Sequence, residues 1–566
     1  MISFLQRLPL YYRTVRPLRF TQLLAQAYRR LRPVSNPPAV AAERCRMLRP
    51  VAPFCVQPEP EVAEFRFLNE AASADPADLN WQAPGKTRLW RYNLHYFDYL
   101  LWGCLPAAWK DVYIEDWIRK NPPGTRTAWE PYTVSLRIVN WIKYFVVRPG
   151  EVPPHWQHSL INQLHWLTHN LEHHILANHL LKNAKALLLG GLWFAGANGK
   201  RFLRLGEHYF IRELREQILP DGGHFERSPM YHAIVVEDCL DVLNCVHAEA
   251  GRLHPHSREA IATATERALE FLDDITAVDG QIPLFNDSAF GITPPPAALF
   301  AYAAAVCGYR RQPPLAAGEV YLVRRARSGY FGYRTHSDSM LIDCGAIGPD
   351  YQPGHAHCDM LSFELCIDGR RVIVDPGVHG YDEDETRAYL RSTAAHNTVV
   401  LNGVEQSEVW GTFRVGRRAR PLDAGLQDLG NGRLEFSGSH DGYQRLEPPA
   451  THQRLIEIDV AGRWVVRDTV TGQGPGELLS YLHLAPEITA RSAGPGLLRL
   501  ERDGQPVADL HVPEAVEMSV AAGYVATGFG RREAADVIVM RTHGLLPLTS
   551  TFRLERVTPS TGTKSV

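Results

Sequence analysis

The sequence predicts an α+β protein of more than one domain, with helical hairpins first and an antiparallel β-sandwich-like domain after them. The chain has 566 residues, which is too long for one ordinary hydrophobic core. Apolar residues recur at three-and-four spacing from about Leu89 to Cys307. After Pro313-Pro314 the pattern changes to short alternating segments with turns. We therefore expect three parts: a basic helical or irregular segment, a helical domain and a β domain, at residues 1–85, 86–315 and 316–566.

Short Gly- and Pro-containing connections separate the predicted helices, as in Arg148-Pro149-Gly150. The helical patterns lie at residues 136–145, 160–167, 180–188, 202–218, 234–248 and 260–276. Helices of roughly 12–18 residues with short loops form a stack of hairpins or a toroid. In the second half, Asp368-Gly369 and Asn402-Gly403 stand between apolar runs, which is typical of β-hairpins.

Composition excludes some classes of function. The apolar content is 45% and the formal net charge is −2, so the sequence gives no reason to expect a nucleic-acid partner. A local basic cleft for an acidic polymer remains compatible with that charge. The nine cysteines are an odd number without a C-x-x-C spacing, and we expect buried free thiols.

The first 34 residues are basic, and basic residues interrupt each of their apolar runs. They therefore lack the apolar core and the cleavage site of a signal peptide. No stretch reaches the roughly 18 apolar residues of a transmembrane helix. A basic amphipathic segment can lie on a membrane surface, but we expect helices that pack on their own domain. The compartment and the oligomeric state stay open.

Three histidines and an aspartate make a possible metal set: His355, His357, Asp375 and His396, in predicted strands or at their ends. Nitrogen and oxygen ligands from neighbouring strands suit zinc. Hydrogen bonding at strand ends explains each residue taken alone, whereas the combination favours a site with one histidine left for chemistry.

Two further clusters lie in the helical half. After a Gly-rich turn, Ser228 and Pro229 predict a helix start, with Glu226 just before it and Tyr231 in its first turn. Asn178 and His179 open a largely apolar helix, where a buried Asn needs a hydrogen-bonding reason. A capped helix and ordinary helix packing are the simpler explanations of these clusters.

A fourth segment, residues 129–141, contains Trp129, Arg137 and Asn140. Aromatic faces and planar donors suit a sugar groove, although helix packing explains the tryptophans equally well.

Five motifs follow one another along the chain: Asn-His, D-G-x-x-x-E-x-S-x-x-Y-H, H-x-H-x-D, V-D-P-G and H-N-T. In this ordered set the chain resembles the heparinase II/III superfamily of polysaccharide lyases, from about Trp81 to Arg420. The resemblance implies an (α/α) toroid followed by an antiparallel β-sandwich, with the active site between them. It implies catalysis by Tyr231 as acid, and possibly also base, and by His355, usually the base. Asn178 and His179 would neutralise a substrate carboxylate.

The resemblance also implies a structural zinc ion (Zn2+) on His357, Asp375 and His396. Glu226, Arg227 and His232 beside the tyrosine, and Asn286 in a loop at the cleft, would contact the substrate. Arg227 or His232 would supply positive charge if the tyrosine acted as a base. Lys182 stands where some relatives carry Glu, and Asn286 where Gly is common.

The predicted reaction is β-elimination on a uronate-containing, acidic polysaccharide. Two alternatives stay open: a glycoside hydrolase that uses Asp221, Glu226 or Asp287, and a non-catalytic polysaccharide-binding protein of an exopolysaccharide or capsule assembly pathway. Zinc-dependent hydrolysis has no H-E-x-x-H motif to support it.

Overall fold

The computed structural model describes residues 4–31, 35–249 and 251–557. Most of its helices precede residue 308. They are α1 (Phe4–Val15), α2 (Phe20–Leu31), α3 (Arg88–Tyr96), α4 (Ala107–Lys120), α5 (Pro131–Val147), α6 (Pro154–His169), α7 (Ala177–Trp193), α8 (Ala197–Gln217), α9 (Pro229–Ala248), α10 (Pro255–Ile275), α11 (Pro296–Cys307) and the short α12 (Glu385–Leu390).

Strands dominate the rest of the chain. They are β1 (Glu64–Phe67), β2 (Glu70–Ser73), β3 (Tyr321–Arg325), β4 (Tyr330–Arg334), β5 (Ser339–Asp343), β6 (Phe363–Ile367), β7 (Arg370–Ile373), β8 (Val399–Leu401), β9 (Val409–Trp410), β10 (Arg414–Val415), β11 (Pro421–Gly430), β12 (Arg433–His440), β13 (Thr451–Asp459), β14 (Arg463–Thr471), β15 (Pro475–His483), β16 (Ile488–Gly494), β17 (Leu497–Arg502), β18 (Gln505–His511), β19 (Glu517–Gly528), β20 (Arg531–Leu545) and β21 (Leu548–Arg556).

The helices α3 to α11 form the toroid and share one apolar core. Helix α7 is buried almost all round and packs against α5 and α8. Two glycines permit the close approach to α8: a Cβ on Gly191 would overlap the backbone nitrogen of Leu203, and a Cβ on Gly206 would overlap that of Leu188. The predicted fold class, a toroid followed by an antiparallel β-sandwich, is confirmed.

The β domain contains a five-stranded sheet (β3 to β7), an eight-stranded sheet in the order β11-β12-β13-β14-β21-β18-β17-β16, and a four-stranded sheet in the order β19-β20-β15-β8. Burial alternates along strands such as β13 and β14, so that each has one face in the core. Side chains from all three sheets, including Ile342, Phe436 and Met540, meet in one apolar cluster.

The residues before the toroid are tied to the body of the protein. Arg13 of α1 forms an ion pair with Glu408 (2.7 Å), and Gln22 of α2 donates to backbone oxygens of Ile175 and Tyr351, both at 3.3 Å. Residues 35–85 are irregular apart from the β1–β2 hairpin, whose Phe65 is buried in the toroid core. Polar contacts therefore attach both helices to the rest of the protein.

One local prediction was wrong. His355 and His357 do not lie in a strand but in the loop that joins β5 to β6. Side chains, and not the hydrogen bonds between neighbouring strands, fix the backbone of this loop. For example, the backbone NH of His357 donates to Asn286 Oδ1 at 3.0 Å. The spacing of two residues between the histidines could not by itself distinguish a strand from a loop.

The glycine contact between α7 and α8 gives a stability prediction. Gly191→Ala should lower the melting temperature, because the added methyl group overlaps backbone atoms that cannot move away, and overpacking of this kind typically costs about 1–3 kcal/mol. Thermal unfolding followed by circular dichroism measures the effect. Gly425→Ala is the matched control, since a Cβ there meets nothing within 4 Å. Equal melting temperatures for the two variants would contradict the packing argument.

Candidate active site

A cavity of about 1280 Å³ lies between the toroid and loops of the β domain. The toroid contributes Tyr132, Asn178, His179 and Tyr231 to its wall, and the β domain contributes His355, Tyr381 and Arg387. Typical small-molecule pockets measure roughly 300–1,000 Å³. The cavity therefore exceeds a small-molecule pocket, as an extended ligand requires.

The aromatic rings of Tyr231 and His355 stack at this wall with a centroid distance of 3.8 Å. Tyr231 is placed by the start of α9, where Ser228 Oγ accepts a hydrogen bond from the Tyr231 backbone NH (3.2 Å). Its hydroxyl lies 3.0 Å from the hydroxyl of Tyr381. The helix cap predicted from Ser228-Pro229 is confirmed. It holds the phenol of Tyr231 beside the imidazole of His355, which belongs to the β domain.

The carboxylate of Asp287 connects the elements behind that pair. Asp287 Oδ2 lies 2.9 Å from His355 Nδ1, and Oδ1 lies 2.8 Å from His357 Nε2. The guanidinium of Arg387 contacts both carboxylate oxygens, with 2.9 Å between Nη2 and Oδ2. Asp287 is fully buried. Burial disfavours its charged form, but Arg387 and the two histidines outweigh that effect and hold its pKa well below the usual range.

The phenol of Tyr231 is disposed to keep its proton. Burial is the main cause and the neighbouring Tyr381 adds to it, so that the pKa of Tyr231 is raised well above its usual value. Neither of the predicted sources of positive charge reaches the phenol. Arg227 turns away to the Ala346 carbonyl (2.7 Å), and His232 lies in the core beside the Ala268 carbonyl (2.9 Å).

Asn178 lies in the first turn of α7, in the cavity wall, and is held by Glu226. Its Nδ2 is 3.0 Å from each carboxylate oxygen of Glu226, and its backbone NH also donates to Oε1 at 3.1 Å. The two preceding residues, Leu176 and Ala177, have φ values of 68° and 52°. Left-handed backbone at such residues is strained and typical of functional sites.

His179 faces the same cavity and is prepared to be cationic. Its Nδ1 lies 3.0 Å from Glu172 Oε1, and its ring centroid lies 4.4 Å from that of Tyr132. Burial acts against the charged ring, but the buried Glu172 carboxylate outweighs it and raises the pKa of His179. An imidazolium here can balance the carboxylate of a ligand.

Several residues predicted to contact the substrate lie outside the cavity, which corrects those predictions. Trp129 packs its ring against Trp166, with centroids 5.4 Å apart. Arg137 is fully buried and donates from Nε to Gln163 Oε1 (2.8 Å). Neither Trp129 nor Arg137 lines the cavity, whereas Asn140 from the same helical segment does. The helix-packing explanation is therefore right for Trp129 and Arg137.

Glu226, Arg227, His232 and Asn286 are not among the residues that line the cavity, and their contacts with the substrate stay a prediction. Glu226 is 2% exposed and lies behind Asn178, with Oε2 at 3.4 Å from His355 Nε2. Asn286 has a φ of 57°, a region that Asn tolerates better than most residues other than Gly. Its Nδ2 donates to the Arg227 carbonyl (3.1 Å). These residues position the site from behind.

Lys182 does line the cavity, but its charge is compensated. Its Nζ lies 2.7 Å from Asp238 Oδ1, which also accepts from Lys185 Nζ at 2.8 Å. The positive charge of Lys182, at a position where some relatives carry Glu, is therefore balanced within a local cluster of ion pairs.

The residues expected to hold zinc lie near one another. Asp375 Oδ2 is 2.7 Å from His396 Nδ1, and the rings of His357 and His396 have centroids 5.3 Å apart. In the described part of the chain, no group of three or more His, Cys, Asp or Glu side chains is arranged as a metal site. The buried Nδ1 of His357 has no hydrogen-bond partner among the described residues. The donor types are ones that zinc accepts, and Nε2 of His357 is oriented by Asp287 as in many metal sites. The zinc site itself stays a prediction.

Three residues of this site had no functional role in the sequence prediction: Arg387, Tyr381 and Glu172. Asp287 was considered only as a hydrolase carboxylate and not as the central partner of the two histidines. The loop at the cleft that was predicted from Asn286 also contains Asp287, but the sequence did not indicate the partners of Asp287. Arg387 lies on α12, which carries no recognisable motif, so only the tertiary structure brings it to Asp287.

Comparisons with known proteins agree with this architecture. Residues 77–293 match the family described as heparinase II/III N-terminus, and residues 322–564 match the one described as heparinase II/III-like, C-terminal. A heparan sulfate lyase variant from Pedobacter heparinus superposes with a TM-score of 0.60 at 21% identity, covering 88% of this chain and 81% of that one. This likeness shows the fold.

Two curated relatives differ in kind. The heparin-sulfate lyase of Pedobacter heparinus is 27% identical over 438 residues, which are 71% of this chain. The chain spans 63% of that protein's length. The FtsZ-localized protein C of Caulobacter vibrioides is 24% identical over 503 residues, covering 83% of this chain and 82% of that protein.

The Glu172–His179 pair gives a prediction that needs no substrate. Glu172→Gln should lower the pKa of His179, because burial then acts on the imidazolium without the opposing carboxylate. In the wild type the pKa of His179 lies above its ordinary value of about 6.5. In the variant the ring should lose its proton at a lower pH than in the wild type. NMR titration of selectively labelled histidines measures this, with exposed Glu266→Gln as control. An unchanged or higher pKa would contradict the pairing.

Proposed function

The chain belongs to the heparinase II/III-like family, and from that premise we propose that it is a polysaccharide lyase, a carbon–oxygen lyase that cleaves an acidic, uronate-containing polysaccharide by β-elimination. The observation that carries the proposal is the Tyr231–His355 ring pair at the cavity wall, beside Asn178 and His179. Together these side chains provide an acid, a base and groups that balance a carboxylate.

In the proposed reaction, His355 Nε2 takes the C5 proton of the uronate. The C5–H electron pair forms the C4–C5 double bond, the C4–O4 bond breaks, and the Tyr231 hydroxyl gives its proton to O4. Proton exchange with solvent then restores both residues. The products are an unsaturated uronate end and a free hydroxyl end, and no water is consumed.

The assignment of base and acid follows from their surroundings. Ionised Asp287 favours a proton on His355 Nδ1. The ring nitrogen assigned to take the substrate proton is therefore Nε2, which lies 3.4 Å from Glu226 Oε2. The raised pKa of Tyr231 keeps the phenol protonated, as a proton donor must be. Asn178 and cationic His179 would stabilise the enolate-like charge that develops on the substrate carboxylate.

The proposal extends to a structural zinc ion held by His357, Asp375 and His396. When bound, zinc would join the loop between β5 and β6 to the segments after β7 and before β8. The unpartnered Nδ1 of His357 supports it. The proton transfers are assigned to side chains alone.

The alternatives gain less support. Asp221, Glu226 and Asp287, the carboxylates considered for a glycoside hydrolase, do not line the cavity. Asp221 accepts hydrogen bonds from the backbone NH and the hydroxyl of Ser328 instead, at 2.7 and 2.8 Å. A non-catalytic polysaccharide-binding protein would not require the phenol and the imidazole to be held together by both domains.

The direct test is ultraviolet absorbance of the C4–C5 double bond during incubation with a panel of uronate polymers, including heparan-type chains and alginate. Wild type should give a rise with at least one polymer. Tyr231→Phe should lower kcat at least 100-fold, because general acid catalysis contributes roughly 10²–10⁴-fold, and it should keep the fold. Tyr524→Phe, which is outside the cavity, is the control. Near-normal activity of Tyr231→Phe would refute the assignment.

Metal analysis tests the zinc site independently of activity. His357→Ala should reduce bound zinc, measured by mass spectrometry of the purified protein, and should lower the melting temperature as well. His452→Ala is the matched control, since His452 is also buried and lies 2.9 Å from a carboxylate oxygen of Asp468. The control should lose stability and keep its metal. Equal zinc contents in both variants would rule out His357 as a ligand.

A further inference from the structure

The two N-terminal helices have a composition unlike that of the rest of the chain. Residues 1–42 contain seven Arg and no Asp, Glu or Lys, although the whole chain is close to neutral. They also precede residue 77, where the family match begins. The family match therefore does not account for these two helices.

Helix α2 turns its apolar face outward. Phe20, Leu23, Leu24 and Leu31 are 72%, 38%, 52% and 86% exposed. Their spacing places them on one face of the helix. A helix that packs on its own domain normally buries such a face.

The opposite face of α2 is polar and is the one that contacts the protein. Gln22 is 2% exposed, and Arg29 contacts the ring of His174. Just before the helix, Arg19 forms an ion pair with Glu216 and lies over the ring of Tyr351, 3.8 Å from its centroid. These polar contacts fix the orientation of the helix, so the outward apolar face is a feature of the fold.

Helix α1 continues the exposed apolar surface. Leu8, Tyr12 and Val15 are 45%, 65% and 43% exposed and follow the spacing of one helix face. Arg16, between the two helices, and Arg30 are exposed as well. The hairpin α1–α2 thus presents large apolar side chains flanked by guanidinium groups.

We propose that the hairpin α1–α2 binds the surface of a membrane that contains anionic phospholipids. Apolar side chains would enter the boundary between headgroups and acyl chains, and arginines would pair with anionic headgroups. Within the described residues no helix combines the length and apolar content needed to cross a bilayer. A hairpin that lies on the surface is the arrangement that these helices can adopt.

Charge argues against a second copy of the chain as the occupant. A symmetric pair would bring together two hairpins whose exposed Arg16 and Arg30 have no acidic residue within residues 1–42 to balance them. An anionic lipid surface supplies that missing charge.

Binding in this way would also place the cavity near the membrane. Gln26, Arg29 and Arg30 of α2 line the cavity, while the apolar residues of the same helix face outward. Since a helix is about 10–12 Å across, the cavity rim would lie about one helix diameter from the lipid. The protein would then act on polymer close to the membrane surface.

Co-sedimentation of the full chain with vesicles tests the proposal. Wild type should sediment with vesicles of phosphatidylglycerol and phosphatidylcholine, and much less with phosphatidylcholine alone. The double variant Leu24→Glu/Leu31→Glu should lower the bound-to-free ratio at least tenfold. The matched control is Leu422→Glu/Leu429→Glu on β11, where the two leucines are 48% and 50% exposed. Circular dichroism should show that both variants are folded, because all four positions are on the surface.

Three results would overturn the proposal: no sedimentation with either vesicle type, equal sedimentation with neutral and anionic vesicles, or unchanged binding of the hairpin variant. Analytical ultracentrifugation without vesicles completes the test. A dimer that Leu24→Glu/Leu31→Glu abolishes, in a protein that does not bind vesicles, would assign the apolar surface to a second copy instead.

Discussion

The active site depends on one buried carboxylate, that of Asp287. It accepts from His355 and His357 and is neutralised by the guanidinium of Arg387. A buried charge is tolerated only when it is paired and hydrogen-bonded. The two histidines that look alike in the H-x-H sequence receive different roles from it. Through its two oxygens Asp287 holds the ring of His355 at the cavity wall, beside Tyr231, and the ring of His357 beside that of His396.

Because of this carboxylate, the site is built from residues of both domains. Asp287 lies between α10 and α11 of the toroid, whereas its three partners come from the β domain. Tyr231 is likewise carried by a toroid helix and meets His355 of the β domain at the boundary. Loss of contact between the domains would therefore separate the proposed acid, Tyr231, from the proposed base, His355. Asn178 and His179 would keep their partners Glu226 and Glu172, which belong to the toroid. The polar face of α2, through Gln22, contributes further contacts across this boundary.

The sequence predicted those features that local patterns control. Helical periodicity located the toroid, and Ser228-Pro229 located the start of α9 and with it Tyr231. Predictions that depended on the direction of a side chain did less well. Arg137 and Trp129 have residue types that suit a sugar groove, but tertiary packing turns them into the core. Arg387 and the partners of Asp287 could not be foreseen, because nothing in the local sequence indicates which distant loops meet.

The central claim is that this site eliminates and does not hydrolyse. The most direct measurement is the mass of the products formed from a uronate oligosaccharide of defined length. Elimination should give one unsaturated fragment, and the masses of the two fragments should add up to that of the substrate. Saturated fragments whose masses add up to that of the substrate plus one water would show hydrolysis and would contradict the account of Tyr231, His355 and Asp287.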